Sequence, residues 1–155
     1  MSKAIAIIGC GTIGTELALA IDSGRVKNAF VIALFDWISQ VALSLQYRLR
    51  NNNPRIFTDF EEFISSPSFT DADIIVECAS QDAIKRFSKK VLENGKSLIV
   101  MSVGALADPH FLSELLDIAS HNSARIYVPT GAIAGIDAVR SVKHLLDSVS
   151  LTTTK

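Results

Sequence analysis

The residues with the clearest capacity for chemistry form a glycine-rich segment near the N-terminus. Gly9-Cys10-Gly11-Thr12-Ile13-Gly14 has the spacing G-x-G-x-x-G and lies between the apolar run Ala4 to Ile8 and an amphipathic stretch. In that setting Gly9 permits a tight turn, Gly11 lets the backbone approach a pyrophosphate, and Gly14 lets a helix pack closely on the strand. The segment therefore predicts a dinucleotide-binding loop.

The helix that starts after this loop adds to the same site. Free backbone N–H groups and a partial positive charge at a helix N-terminus attract phosphate. Thr12 and Ile13 open the predicted helix, so we include both among the candidate cofactor-binding residues.

Asp36 is a candidate partner of the other end of the ligand. It ends the second predicted strand, 22 residues after Gly14. A carboxylate there accepts hydrogen bonds from an adenosine ribose and repels a 2′-phosphate, and the next basic residue along the chain is Arg48. This favours NAD over NADP, with an arginine from elsewhere in the fold left open. A turn that binds nothing, with Asp36 solvated, is the other interpretation.

The elements that must position these residues alternate in type along the chain. Strands are predicted at 4–8, 30–35, 55–57, 74–76, 98–101 and 126–128, and helices at 12–23, 38–50, 81–93 and 137–146. Asp59 caps a short helix that Pro67 ends, Asp108 caps another with Pro109 at its first position, and 149–153 is a final β-like run. Continuously apolar strands predict a doubly wound α/β fold, with a mostly parallel sheet covered by helices on both faces.

Small residues follow the predicted strands. They occur after the fourth, fifth and sixth strands in Cys78-Ala79-Ser80, Ser102-Val103-Gly104-Ala105 and Pro129-Thr130-Gly131-Ala132. Ligands of open parallel sheets bind at the carboxyl ends of the strands, where bulky side chains would occlude a cofactor. Short turns explain any one of these loops equally well, but several loops agreeing on one edge favour a cofactor.

Composition excludes several classes of function. Lys plus Arg number 15 and Asp plus Glu 16, so the net charge of −1 gives no broad basic field for nucleic acid. No apolar run is long enough to cross a membrane. The two cysteines predict neither a disulfide framework nor a metal site and favour a reducing compartment such as the cytoplasm. The three histidines show no ligand spacing, so we predict no metal and identify no catalytic residue.

Four segments of the chain resemble the L-aspartate dehydrogenase family of NAD(P)-dependent enzymes. The resemblance runs from Lys3 to the final residues, and the segments that carry it are Ile8 to Gly14, Val76 to Ala83, Val100 to Asp108 and Pro129 to Ala138. It implies oxidation of L-aspartate to iminoaspartate, with hydride transfer to nicotinamide, in a step that feeds NAD biosynthesis.

The resemblance also implies roles for particular residues. It gives the Ala132 backbone amide a contact with the cofactor and places Asp36 on the adenosine side. The nicotinamide side would be lined by Ala79, Ser80, Ser102, Gly104 and Ala105.

The chain departs from the family pattern at its C-terminal end. Family members continue into a second α/β domain, which carries a catalytic histidine and a cofactor-contacting asparagine that have no counterpart here. We therefore expect a Rossmann domain at 1–147 and the start of a missing substrate domain at 148–155. This predicts a truncated chain that supplies the cofactor-binding part, acts as a homodimer or pairs with a missing C-terminal piece, and has little activity alone.

Two other functions stay open at this point. One is a non-catalytic NAD-binding or redox-sensing module, which fits the missing catalytic half. The other is a different Rossmann dehydrogenase, resembling homoserine dehydrogenase or dihydrodipicolinate reductase, because the fold alone does not determine the substrate. The segments 102–108 and 129–138 argue against the second.

Overall fold

A computed structural model describes residues 2–130, 136–150 and 152, without the side chains of 136–138. The strands are β1 (Lys3–Ile8), β2 (Ala29–Phe35), β3 (Arg55–Phe57), β4 (Ile74–Glu77), β5 (Ser97–Val100) and β6 (Ile126–Tyr127). The helices are α1 (Thr12–Asp22), α2 (Ser39–Arg48), α3 (Phe60–Ile64), α4 (Pro67–Asp71), α5 (Gln81–Glu93), α6 (Pro109–His121) and α7 (Ile136–Ser141). Short 3₁₀ turns span Val103–Ala107 and Lys143–Leu145.

The six strands form one sheet in the order β3-β2-β1-β4-β5-β6, and every neighbouring pair is parallel. In the register of the central strands, Ile7 lies beside Leu34 of β2 and Val76 of β4. The strand order reverses at β1, so the crevice beyond the carboxyl ends of β1 and β4 is the switch point where such sheets bind ligands. The doubly wound fold predicted from the sequence is confirmed.

Successive residues of the strands face opposite sides of the sheet and join two separate cores. Ile5 and Ile7 pack with residues of α1 and α2 on one side. Ala6 and Ile8 pack on the other side in a cluster rich in phenylalanine, to which α3, α4, α5 and α6 contribute. This two-sided burial explains why the strands are apolar without alternation.

The main corrections to the predicted helices concern Pro67 and the last helix. Pro67 does not simply end a helix: it is the first residue of α4, whose N-cap Ser66 accepts a hydrogen bond from the Phe69 N–H. Proline is favoured at that position because it has no N–H to leave unpaired. The predicted helix 137–146 is shorter, ending at Ser141 before a separate 3₁₀ turn.

Of the predicted β-like run 149–153, residues 149, 150 and 152 are not in a strand and the others lie outside the described residues. Within the ranges that the structure describes, no helix has the length and apolar character needed to span a bilayer.

Candidate functional site

Gly9 makes the turn that joins β1 to the glycine loop. Its φ is +95°, a left-handed conformation that favours glycine. Its N–H donates to the Phe35 carbonyl oxygen at 2.8 Å. A Cβ at Gly9 would lie 2.7 Å from the backbone nitrogen of Ala79, so the loops after β1 and β4 approach each other too closely for any side chain.

The other two glycines of the loop lie in opposite environments. A Cβ on Gly14 would lie 1.9 Å from the Gly9 carbonyl oxygen, so α1 can pack on the loop only without a side chain there. A Cβ on Gly11 would meet no atom within 4 Å. Gly11 is the N-cap of α1 and, within the described ranges, no side chain caps that N-terminus. The first turn of α1 therefore presents its backbone to open space.

Asp36 fastens the glycine loop to the end of β2. Its Oδ2 accepts a hydrogen bond from the Cys10 N–H at 2.9 Å, and its Oδ1 accepts one from the Ile38 N–H at 2.9 Å. The side chain is half-buried. Because each carboxylate oxygen has more than one lone pair, Asp36 retains capacity to accept further hydrogen bonds from a ligand.

The loop, Asp36 and the end of β4 enclose a cleft of about 280 Å³ at the switch point. Five of the residues predicted from the sequence line it: Gly9, Gly11, Asp36, Ala79 and Ser80. Ser80 also caps α5 by accepting a hydrogen bond from the Ala83 N–H at 3.1 Å. A cleft of this kind, with a helix N-terminus and a carboxylate at its walls, suits a ligand that carries phosphates and a ribose.

The remaining predicted residues that the structure describes do not line this cleft. Thr12 and Ile13 are exposed on the first turn of α1, and Gly14 is buried beneath the loop. Gly104 lies against the Gln81 side chain, which a Cβ would approach to 2.4 Å. Ala105 is buried in the core beside α5. Ala132 lies outside the described residues.

The sequence did not single out Glu77, which the structure places at the centre of this edge. Glu77 ends β4 and is 1% exposed. Its Oε1 accepts hydrogen bonds from the Ala79 N–H and the Ser102 Oγ, both at 2.8 Å, and its Oε2 accepts one from the Ser102 N–H at 3.0 Å. One carboxylate thus joins the loops after β4 and β5. The only signal for Glu77 in the sequence was that an acidic residue directly follows a predicted buried strand.

A second unpredicted feature is an aromatic wall that ends in a cation. Trp37 follows Asp36 directly and contacts the rings of Phe35 and Phe87, at centroid distances of 5.1 and 5.4 Å. The Arg86 guanidinium lies over the Trp37 ring, 4.8 Å from its centroid. Trp37, Phe87 and Arg86 line the same cleft as Asp36. No sequence pattern relates Trp37 to a residue of α5.

Cys10 and Cys78 are free thiols at this edge. Burial raises the pKa of Cys10 to about 12, helped by the negative charge of Asp36. Burial likewise raises the pKa of Cys78 to about 12, with Glu77 adding to the shift. The Cys10 Sγ lies 3.8 Å from the Phe35 carbonyl oxygen, to which it donates. Both thiols are therefore protonated at neutral pH and are unsuited to nucleophilic chemistry.

We expect both cysteines to resist thiol-modifying reagents in the folded chain. At pH 8 a thiol with a pKa of about 12 has on the order of 10³-fold less thiolate than an ordinary cysteine. Timed modification with an aromatic disulfide reagent, with and without denaturant, measures this difference. In the unfolded chain the same thiols ionise near pH 8.5, while in the folded chain they stay protonated. The free energy of unfolding therefore falls as the pH rises above about 8.5. Rapid modification of the folded chain would contradict the assignment.

Within the described ranges, no group of three or more His, Cys, Asp or Glu side chains is placed to hold a metal ion. His121 contacts the Asp117 carbonyl oxygen of its own helix, at 2.7 Å from Nδ1. His110 is exposed at the start of α6. Neither histidine lines the cleft.

Comparison with known proteins places this site in a family. Residues 9–129 match the family described as the NAD-binding domain of homoserine dehydrogenase. The chain is 42% identical over 153 residues to L-aspartate dehydrogenase of Nitrosopumilus maritimus, covering 99% of this chain and 54% of that protein. It is 35% identical to L-aspartate dehydrogenase of Methanocaldococcus jannaschii, covering 97% of this chain and 54% of that protein. The resemblance to L-aspartate dehydrogenases is confirmed.

Solved structures agree with the fold. The crystal structure of aspartate dehydrogenase from Thermotoga maritima matches with a TM-score of 0.67 and 28% identity, covering 93% of this chain and 52% of that one. The WlbA dehydrogenase from Bordetella pertussis, solved with NADH and UDP-GlcNAcA, matches with a TM-score of 0.75 over 94% of this chain and 42% of that one. Because the sequence identity is only 13%, this match supports the fold and no particular function. The chain spans about half the length of the curated relatives it matches.

Proposed function

Because the chain belongs to the family described as the homoserine dehydrogenase NAD-binding domain, and is similar over nearly its whole length to L-aspartate dehydrogenases, we propose that it forms the cofactor-binding part of an L-aspartate dehydrogenase. The reaction is L-aspartate plus NAD⁺ giving iminoaspartate, NADH and a proton. The curated relatives at 35–42% identity favour aspartate over the substrates of other dehydrogenases with this fold.

One observation carries the cofactor part of this proposal. The N-terminus of α1, which no described side chain caps, opens into the cleft at Gly11, where an added Cβ would meet open space. The backbone there suits the pyrophosphate, and Asp36 at the end of β2 suits the hydroxyl groups of the adenosine ribose. Ala79, Ser80 and Ser102 would then line the nicotinamide, and the cofactor would supply the hydride acceptor. Two proteins of similar fold, one solved with NADH and one with NAD⁺, support the same cofactor.

The residues around the glycine loop contribute by giving the binding site its shape. Because it has no Cβ, Gly14 lets α1 pack on the glycine loop, and Gly9 lets that loop approach the loop after β4 at Ala79. Asp36 holds the Cys10 N–H and thereby fixes the loop relative to β2. We assign 1–147 to this cofactor domain and 148–155 to the start of a substrate domain. The general base and the aspartate-binding groups belong to that second domain by family resemblance.

The wider setting follows from the same relatives. We propose that the reaction feeds NAD biosynthesis in the cytoplasm, in agreement with two cysteines that form no disulfide. A homodimer, or pairing with a separate C-terminal piece, would complete the substrate site.

Binding of NAD is expected to stabilise the chain against heat. A ligand at 100 times its Kd stabilises the folded state by about 2.7 kcal/mol, which raises the melting temperature by several degrees for a domain of this size. Differential scanning fluorimetry with NAD, and with nicotinamide alone as the control, measures the shift. No shift at millimolar NAD or NADP would contradict the proposal.

Service as the cofactor domain of an aspartate dehydrogenase is tested separately in a fusion. We would join the chain to the part of the Nitrosopumilus maritimus L-aspartate dehydrogenase that lies beyond the 54% it covers. Aspartate-dependent formation of NADH by the fusion, with the unfused chain as the control, supports this role. A fusion that binds NAD but forms no NADH from aspartate would contradict this role and leave the cofactor assignment intact.

A further inference from the structure

A groove lined by arginines lies at the opposite edge of the sheet from the cleft. The turns that join α1 to β2 and α2 to β3 precede their strands, so both lie at the amino ends of the strands. Between them is a groove of about 510 Å³ that shares no lining residue with the cleft. The arginines in its wall are Arg25, Arg48 and Arg50. We call this feature the arginine groove.

The charge around the arginine groove is predominantly positive. Residues 23–58 contain five basic residues and a single acidic one, Asp36, which lies at the cleft. Among the described residues that line the groove, Asp22 is the only acidic one, so its three arginines leave a formal net charge of +2 in the walls. A concave site with an excess of positive charge attracts anions.

The arginines of the groove have N–H donors that the protein does not use. Elsewhere in the described chain four cations form salt bridges, namely Lys3, Arg55, Lys89 and Lys90. The guanidinium groups of Arg48 and Arg50 form no ion pair and no hydrogen bond within the described ranges. That of Arg25 donates once, from Nε to the Ser23 Oγ at 3.4 Å. Each guanidinium carries five donors in a planar fork that matches two oxygens of a phosphate group.

The Asp22 carboxylate at the base of the groove is bound by backbone rather than by these arginines. It is 8% exposed. Its Oδ2 accepts a hydrogen bond from the Arg50 N–H, and its Oδ1 accepts bonds from the Asn51 N–H, the Asn52 N–H and the Asn52 Nδ2. These four donors offset part of its negative charge. They also fasten the turn that carries Arg50 to the end of α1, so the backbone of this wall is fixed before a ligand binds.

Stabilisation of a helix end is the competing role for one of the arginines. Arg48 lies in the last turn of α2, where a cation interacts favourably with the negative end of the helix dipole. This effect falls off within the last turn. Arg25 and Arg50 lie outside the helices, so the dipole does not account for the presence of all three arginines around one groove.

Tyr47 adds an aromatic surface beside the arginine groove. Its side chain is 92% exposed, and with Leu43 it lines an adjoining groove along α2. Arg48 lines both grooves, so the ring and the cations are neighbours. An exposed aromatic ring next to positive charge is a surface on which a nucleobase stacks.

We propose that the arginine groove binds the diphosphate group of a small ligand. Its volume falls within the range of ~300–1,000 Å³ typical of small-molecule sites. Three planar guanidinium groups match two linked phosphates better than a single one. Inorganic pyrophosphate and a nucleoside diphosphate both carry this group, and the second would also place its base on Tyr47. The site is separate from the cleft and does not depend on a dinucleotide there.

The experiment follows the backbone amide signals of the isotope-labelled chain by NMR during titration with inorganic pyrophosphate and, separately, with ADP. The signals of Arg25 and Asn51 report on the arginine groove, and those of Gly9 and Gly11 report on the cleft. The variants are Arg48→Gln and Arg50→Gln, which keep the Arg50 N–H bond to Asp22. The matched control is Arg125→Gln, because Arg125 is exposed and does not line the groove.

We expect pyrophosphate to shift the groove signals, and Arg48→Gln and Arg50→Gln each to raise its Kd there by about 3- to 10-fold, since each removes charge-assisted hydrogen bonds at an exposed site. Arg125→Gln should leave this Kd unchanged. An equal effect of all three variants, or no shift of the groove signals at about 10 mM pyrophosphate, would overturn the proposal. Variants that lower the free energy of unfolding in urea without changing the Kd would also overturn it.

The ADP titration distinguishes the two sources of the diphosphate. Tighter binding of ADP than of pyrophosphate at the groove signals, with the difference lost in Tyr47→Leu, supports a nucleoside diphosphate. Equal affinities, or ADP that shifts only the cleft signals while pyrophosphate shifts those of the groove, support inorganic pyrophosphate. Shifts of the cleft signals alone by both ligands would overturn the arginine groove as a site and leave the cofactor assignment intact.

Discussion

Replacing Gly14 with alanine is expected to destabilise the chain by about 2–3 kcal/mol, because an added Cβ would lie 1.9 Å from the Gly9 carbonyl oxygen. That oxygen belongs to the backbone, and Gly9 is itself held by a hydrogen bond to Phe35. The helix therefore has to move away from the loop to admit a methyl group. The higher helix propensity of alanine recovers at most about 1 kcal/mol of this cost.

The same substitution at Gly11 provides the matched control. Its φ of −67° suits alanine, and an added Cβ there would meet nothing within 4 Å. We expect Gly11→Ala to change stability by less than about 1 kcal/mol, since the loss at the N-cap and the gain in chain stiffness are both small. The methyl group would point into the space proposed for the pyrophosphate, so we expect NAD affinity to fall at least about tenfold.

Urea unfolding and NAD titration of both variants separate the two effects. Gly14→Ala should lower the free energy of unfolding, and Gly11→Ala should lower binding at nearly unchanged stability. A Gly14 variant as stable as the wild type would contradict the packing described here. A Gly11 variant with wild-type NAD affinity would place the pyrophosphate elsewhere.

Replacing Glu77 with glutamine is expected to cost about 1–3 kcal/mol and to weaken NAD binding more than ADP-ribose binding. Each oxygen of the carboxylate accepts at least one backbone N–H, from Ala79 or from Ser102. An amide group has only one oxygen, so its NH₂ must face one of these donors. The loop that loses its acceptor then moves, and both loops lie on the side proposed for the nicotinamide.

ADP-ribose makes this test specific, because it carries the adenosine and pyrophosphate of NAD but no nicotinamide. A purely structural role for Glu77 would weaken both ligands together or neither. A displaced nicotinamide side would weaken NAD at least about tenfold more than ADP-ribose. Calorimetric titration of the two ligands measures this ratio, and an unchanged ratio would contradict the positioning role.

Asp22→Asn serves as the control for the loss of a buried carboxylate. Asp22 ends α1, away from the glycine loop, and accepts hydrogen bonds from the backbone N–H groups of Arg50, Asn51 and Asn52. Burial acts to raise its pKa, but these bonds and one from the Asn52 side chain outweigh it and hold the pKa below its ordinary value. Its contribution to stability is therefore present at neutral pH and is lost as the pH falls below about 4. The variant should be destabilised with the ligand ratio unchanged.

Much of the fold could be predicted from the sequence because its signals are local. The strands are short apolar runs, and the ends of β1, β2 and β4 are marked by Gly9, Asp36 and Glu77. The bounds of β3 and α5 were predicted as the structure has them. The prediction that Pro67 ends a helix was wrong because proline is common both after the end of a helix and at its first position. Only the hydrogen bond of the Ser66 cap shows that Pro67 begins α4. The boundary between a cofactor domain and a substrate domain, placed between residues 147 and 148, stays a prediction.

The sequence by itself determined the strand–loop–helix unit around Gly9, Gly11 and Gly14, since its spacing and its apolar strand are contained in one continuous segment. It also identified Asp36 by its place at a strand end. Only the tertiary structure decided what these residues touch. The parallel sheet brings Glu77 to Ser102 and stacks Arg86 on Trp37. Such contacts depend on strand order and helix packing, which no local pattern records. The next basic residue after Asp36 along the chain is Arg48, but the basic residue that lines the cleft with Asp36 is Arg86.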